Sequence, residues 1–276
     1  NHVDPTGGST TPPSCGFYVS NEVLDSDFAT HHFPTDSGGN LYSVRRGDAD
    51  PFQEGDFTHL TPEGRNGADP YRPVYSKNTN ESADNWGDLI SLTQSLAKGH
   101  FTTLLAPPTW DGDYVAAVQA KVDVDQWMTW FAAEALIGNG ESNLANGIGD
   151  DFYFYMGVSD PRARLIPYDL DTILGDGDEP VGATEDIFQM IRHRYVDYGP
   201  LAPTPLYPFL RHPAFGPLYF AKLQQLLRGP LSIANFDALV DQVLAGVVDA
   251  TLIADRKAWY ASRHTYVSSL VNAGLS

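Results

Sequence analysis

The chain has 276 residues, 42% of them hydrophobic and 12% aromatic, enough for a real core in one large domain or two small ones. Its 35 acidic against 17 basic side chains give a formal charge of -18, which argues against nucleic acid or an anionic membrane as the main partner and leaves cations and basic protein segments. A lone cysteine, Cys15, excludes an internal disulfide and a thiolate metal cluster, and no run reaches the ~20 apolar residues that a membrane helix needs.

Taken in chain order, residues 1–15 are rich in Gly, Pro, Ser and Thr and read as a linker or loop, so more chain is expected upstream. No signal-peptide pattern opens them. FYVSNEV at 17–23 alternates apolar and polar residues as a half-buried strand does, with Glu22 in its middle. LDSDFATHHF then predicts a short helix or turn; the adjacent His31 and His32 point apart and suit surface or capping roles. NLYSV at 40–44 is a second strand, and Arg45 and Arg46 behind it are either phosphate contacts or salt-bridge partners in so acidic a chain. Residues 45–73 are polar and turn-rich, a long surface excursion. Asn80-Glu81-Ser82 fits a glycosylation sequon by chance.

Helical signals follow. Asp84 is placed to cap a helix through WGDLISLTQSLAKG that stops at Gly99. Asp123 with Gln126 three residues on makes a capping-box pattern ahead of WMTWFAAEALIG, which is apolar nearly all round and therefore buried, delivering GNGES to the interior or a cleft. FYFYMGV at 152–158 and ARLIPYD after the turn SDPR read as a β-hairpin. The remaining third is mostly helical, with apolar spacing of three and four in FGPLYFAKLQQLLRG and NFDALVDQVLAGVV.

Chemistry concentrates around the hairpin. A buried helix ends at Asn139-Gly140-Glu141, a loop ends at Asp150-Asp151, and the second strand runs out at Asp169-Leu170-Asp171. Protein kinases use this order: a catalytic-loop acid takes the substrate hydroxyl proton, and residues just before and just after a hairpin hold metal on the nucleotide phosphates. Phosphoryl transfer is mostly positioning and charge neutralisation, and Mg²⁺ demands hard oxygen ligands. Glu141 is then the base candidate and Asp151 and Asp169 the ligand candidates. Asp171 either joins Asp169 as a ligand or caps the following turn. Asp176 and Asp178 read as a solvated loop, or else a lip of the site or a calcium site. A carboxylate-pair glycoside hydrolase is a third reading, because paired acids and aromatics also serve sugar chemistry.

At these residues the chain resembles the CotH-type spore-coat kinases, an atypical protein-kinase-like family. GFYVSNEVLDSDF at 16–28, GNLY at 39–42, VDVDQWMTWFAAEALIGN at 122–139, DDFYFY at 150–155, IPYDLD at 166–171 and PFLRHPAF at 208–215 are similar to its motifs in order. The resemblance implies an α+β, kinase-like fold. Residues 16–75 would be the remnant of an incomplete N-terminal lobe, and residues 76–276 a helical C-terminal lobe with the hairpin at the active site. It implies ATP with Mg²⁺, or Mn²⁺ or Ca²⁺ in its place, and transfer to Ser or Thr of basic, Ser/Thr-rich secreted or coat proteins, outside the cell or on its surface.

The family roles fall on Asp169 as the metal-binding acid, Asp151 at the second metal position and Glu141 at the proton-accepting position. Glu22 becomes an acid that orients a lysine or metal at the cofactor, its alternative being an outward polar position. The family usually has Asp where Glu141 stands and Asn where Asp151 stands. A kinase fold without catalysis, kept as a structural or binding module of a coat or larger assembly, is the rival expectation.

Overall fold

The structure, a computed structural model, describes residues 21–45, 55–62, 64–65, 74–140, 144–147, 149–177, 180–194 and 202–274. Helix α1 (Ser26–His32) starts on Asp25, whose carboxylate accepts from the N–H groups of Asp27 at 2.8 Å and Phe28 at 3.3 Å. An acidic N-cap satisfies helix N–H groups that have no partner within the helix. Strand β1 (Asn40–Val44) follows, then the two-residue strands β2 (Leu60–Thr61) and β3 (Gly64–Arg65), and β4 (Tyr75–Lys77). Next come α2 (Gly87–Leu96), the paired short strands β5 (Gly99–His100) and β6 (Thr109–Trp110), α3 (Tyr114–Gln119) and α4 (Val124–Ile137). The hairpin strands are β7 (Phe152–Met156) and β8 (Arg164–Pro167), after which the chain is helical: α5 (Leu206–Arg211), α6 (Gly216–Arg228), α7 (Ile233–Leu244) and α8 (Ala250–Gly274). Helices and an antiparallel sheet in these proportions make an α+β protein.

The main sheet has the order β4-β1-β7-β8, every neighbouring pair antiparallel. Segments far apart in sequence therefore share one sheet, with Val44 opposite Phe152 and Tyr75. Both faces of the sheet are covered. Tyr42, Val44, Phe152, Phe154, Met156 and Leu165 join the large core, which α4 enters with Trp127, Met128 and Phe131. Leu41, Tyr153 and Tyr155 face the other way, onto Phe28 and Ala29 of α1. Two covered faces explain why FYFYM is buried at every position rather than alternating.

Local devices hold the hairpin in place. The carboxylate of Asp36 accepts from the backbone N–H groups of Val158, Ser159 and Asp160 at 3.0, 2.9 and 2.9 Å, fixing the turn. Gln126 of α4 adds a rung to the sheet edge: its Nε2 donates to Leu165 O at 2.8 Å, and Leu165 N donates to its Oε1 at 2.9 Å. The expected capping box is thus half formed. Asp123 does accept from Gln126 N, at 3.4 Å, but the Gln126 side chain goes to β8 instead of back to the cap.

Two further expectations change. Of the strand expected over residues 17–23, 17–20 lie outside the described residues and 21–24 carry no regular structure, so Glu22 is not mid-strand. Asp84 does not cap α2: the N-cap is Trp86, and Asp84 accepts from the indole N–H of Trp86 at 2.9 Å.

Candidate active site

The hairpin register pairs Phe152 with Pro167 and Tyr155 with Arg164. Residues just before β7 and just after β8 consequently emerge at one end of the sheet. Asp151 precedes Phe152 directly, and Asp169 lies two residues beyond Pro167. Both adopt left-handed backbone, with φ of 48° and 50°. Asp tolerates this region better than most residues, yet it still costs on the order of 1 kcal/mol at each position. Strain of this kind persists only where the surroundings over-determine it, and it clusters at functional sites. For Asp151 the surroundings include β1, whose Val44 carbonyl accepts the Asp151 N–H at 3.0 Å.

The C-terminal end of α4 meets the same region. Gly138 ends the helix in the left-handed conformation, φ 63°, and its N–H donates to Glu134 O at 3.0 Å. A Cβ on Gly138 would lie 2.4 Å from the indole of Trp259, and one on Gly175, φ 73°, would lie equally close to the same ring. Trp259 of α8 is thus a wedge against both turns, and each turn needs glycine for its backbone and for the space. Beyond Gly138, Gly140 N donates to Thr172 O at 3.0 Å, and Leu174 N donates to Ile137 O at 2.8 Å. The exit of α4 and the chain leaving Asp169 are therefore bonded to each other through the backbone. Glu141, which follows Gly140, lies outside the described residues.

One acid escaped the sequence reading. Glu134 is 4% exposed within α4, and its Oε2 accepts from Nδ2 of Asn139 at 3.1 Å. Burial pushes its carboxyl up to about 7, opposed by the Asn139 bond. The signal was present as the single charge inside the apolar run WFAAEALIG, where only a buried face was available to receive it.

Glu22 is exposed and pairs with His32 at 2.8 Å and His31 at 3.6 Å, and those bonds hold its carboxyl below the usual range, His32 contributing most. No described contact joins it to Asp151 or Asp169. Asp171 is exposed. Asp176 pairs with Arg256 at 3.3 Å, and Asp178 lies outside the described residues. Among the described residues no three His, Cys, Asp or Glu side chains are arranged to hold a metal ion, so Asp171 does not complete a three-acid cage with Asp151 and Asp169. Two carboxylates are nonetheless the donor set that Mg²⁺ takes when phosphate oxygens and waters fill its other positions.

Lysine is scarce here. Lys98, Lys222 and Lys257 pair with Asp113, Asp125 and Asp241 at 2.9, 2.7 and 2.6 Å, and Lys77 donates to the carbonyls of Ala83 and Asn85.

Fold and site together define an α+β protein with two strained aspartates at the mouth of a hairpin, set against the end of a buried helix. The chain belongs to the CotH kinase family: the family model described as "CotH kinase protein" matches residues 13–272, nearly its whole length. No curated protein matches it in sequence.

Proposed function

We propose that the protein is a CotH-like protein kinase that transfers the γ-phosphate of ATP to Ser or Thr hydroxyls of basic, Ser/Thr-rich secreted or coat proteins, outside the cell or at its surface. The observation that carries this reading is the hairpin end, where Asp151 and Asp169 emerge together in left-handed backbone beside the exit of α4. Asp169 and Asp151 would hold the divalent cation, Mg²⁺ or alternatively Mn²⁺ or Ca²⁺. Bound Mg²⁺ supplies neutralisation of phosphate charge. Glu141 accepts the proton of the attacking hydroxyl as its oxygen bonds to the γ-phosphorus and the bond to the β-phosphate oxygen breaks, leaving ADP. In this reading Glu22 would serve on the cofactor side, although its side chain pairs with His31 and His32. The formal net charge of -18 favours basic substrates.

The test is transfer of labelled phosphate from ATP to a basic Ser-rich peptide with Mg²⁺ present. Wild type should label the peptide, and Asp169→Asn should lower the rate at least a hundredfold while leaving thermal unfolding within a degree or two. Transfer unaffected by that change would refute the assignment. A second reading, a kinase fold kept as a binding module without catalysis, is favoured by one observation: four lysines are committed to aspartates or carbonyls elsewhere. No labelling by a well-folded wild type would select it.

A further inference from the structure

Arg45 is the residue that the sequence leaves open between a phosphate contact and a salt bridge. Among the described residues Arg45 forms no ion pair with a carboxylate, whereas Arg162, Arg164, Arg192 and Arg256 pair with aspartates, and that favours the first option. The exposed Arg211 and Arg228 also make no such pair among the described residues, so what sets Arg45 apart is its place at the end of β1. Its position is fixed through the backbone. Arg45 N donates to Val74 O at 2.9 Å, and the carbonyl of the preceding Val44 accepts the Asp151 N–H at 3.0 Å.

Arg45 follows Val44, which sits opposite Phe152, so it lies beside the start of β7, near enough to Tyr153 to lower the pKa of its phenol against the burial that raises it. The Tyr153 ring in turn packs at 4.9 Å on Tyr168, the residue before Asp169. One end of the sheet therefore brings together two aspartates and a guanidinium. A ligand that answers both signs is a phosphate chain carrying a divalent cation, with oxygens for the arginine and metal for the acids.

We propose that Arg45 is a phosphate-binding residue of this site, its guanidinium taking non-bridging oxygens of a nucleotide polyphosphate whose remaining oxygens carry the cation at Asp151 and Asp169; the inference rests on the phosphoryl-transfer reading above. Arginine supplies there the anion recognition that the committed lysines do not. The full chain should be titrated calorimetrically with Mg²⁺–ATP, Mg²⁺–tripolyphosphate and adenosine, as wild type, Arg45→Ala, Arg45→Lys and the surface control Arg228→Ala.

Arg45→Ala should weaken ATP and tripolyphosphate by about tenfold or more, the loss of one charge-assisted contact, and leave adenosine unchanged. Arg45→Lys should fall between, because a point charge replaces a fork, and Arg228→Ala should match wild type. Wild-type affinity for both polyphosphates in Arg45→Ala, or an equal loss in Arg228→Ala, would overturn the role of Arg45 and leave the kinase reading standing. A wild type that binds neither ATP nor tripolyphosphate would overturn both.

Discussion

Burial holds Glu134 protonated up to about pH 7, so ionising it works against the fold. The folded pKa lies above the ordinary 4.5, which means the native state binds the proton more tightly than the unfolded chain. That contribution is complete below pH 4.5 and is lost as pH rises through about 7, roughly 3 kcal/mol across the window. Urea unfolding at pH 5 and pH 8 checks it. Wild type should lose stability between the two, and Glu134→Gln, which keeps an amide against Asn139, should show that loss reduced to well under half. Equal losses in both proteins would show that Glu134 does not titrate in this range. The same carboxyl bears on function, because Asn139 lies two residues before Glu141 and is tied to Glu134 through both its side chain and its backbone.

Gly138 and Gly175 are where two turns close on Trp259, so the α4 exit and the loop after Asp171 are set by one indole from α8. Gly138→Ala meets both a left-handed backbone and an occupied space, and should cost about 2 kcal/mol or more in denaturant unfolding. Trp259→Ala in the same chain should recover the steric part, leaving the backbone part of about 1 kcal/mol; full additivity of the two losses would contradict the wedge. Such a wedge was not legible in the sequence, because Trp259 lies far along the chain from both Gly138 and Gly175.

What was legible is local. The hairpin showed in its β-prone run and turn, α4 in its all-round apolarity, and the two hairpin acids in their order along the chain. Cap and partner choices were not legible, since they depend on what tertiary packing offers. Asp84 turned to the Trp86 indole, Gln126 preferred the free edge of β8 to its own N-terminus, and Glu22 met two histidines that α1 brought round to it.

At the scale of the whole molecule, one four-stranded sheet covered on both faces links a segment around residue 44 to the hairpin more than a hundred residues later. That link places Arg45, Asp151 and Asp169 at one end. The formal net charge of -18 raises the local concentration of cations and basic substrates, an effect that salt screens. Family membership accounts for the order of the motifs, while the register of the sheet accounts for their meeting. The central claim is that Asp151 and Asp169 share one divalent cation. Mn²⁺ binding in the presence of ATP, followed by electron paramagnetic resonance, tests it most directly: wild type should bind Mn²⁺ in a site that Asp151→Ala and Asp169→Asn each weaken at least tenfold, and undiminished binding in both variants would contradict the account.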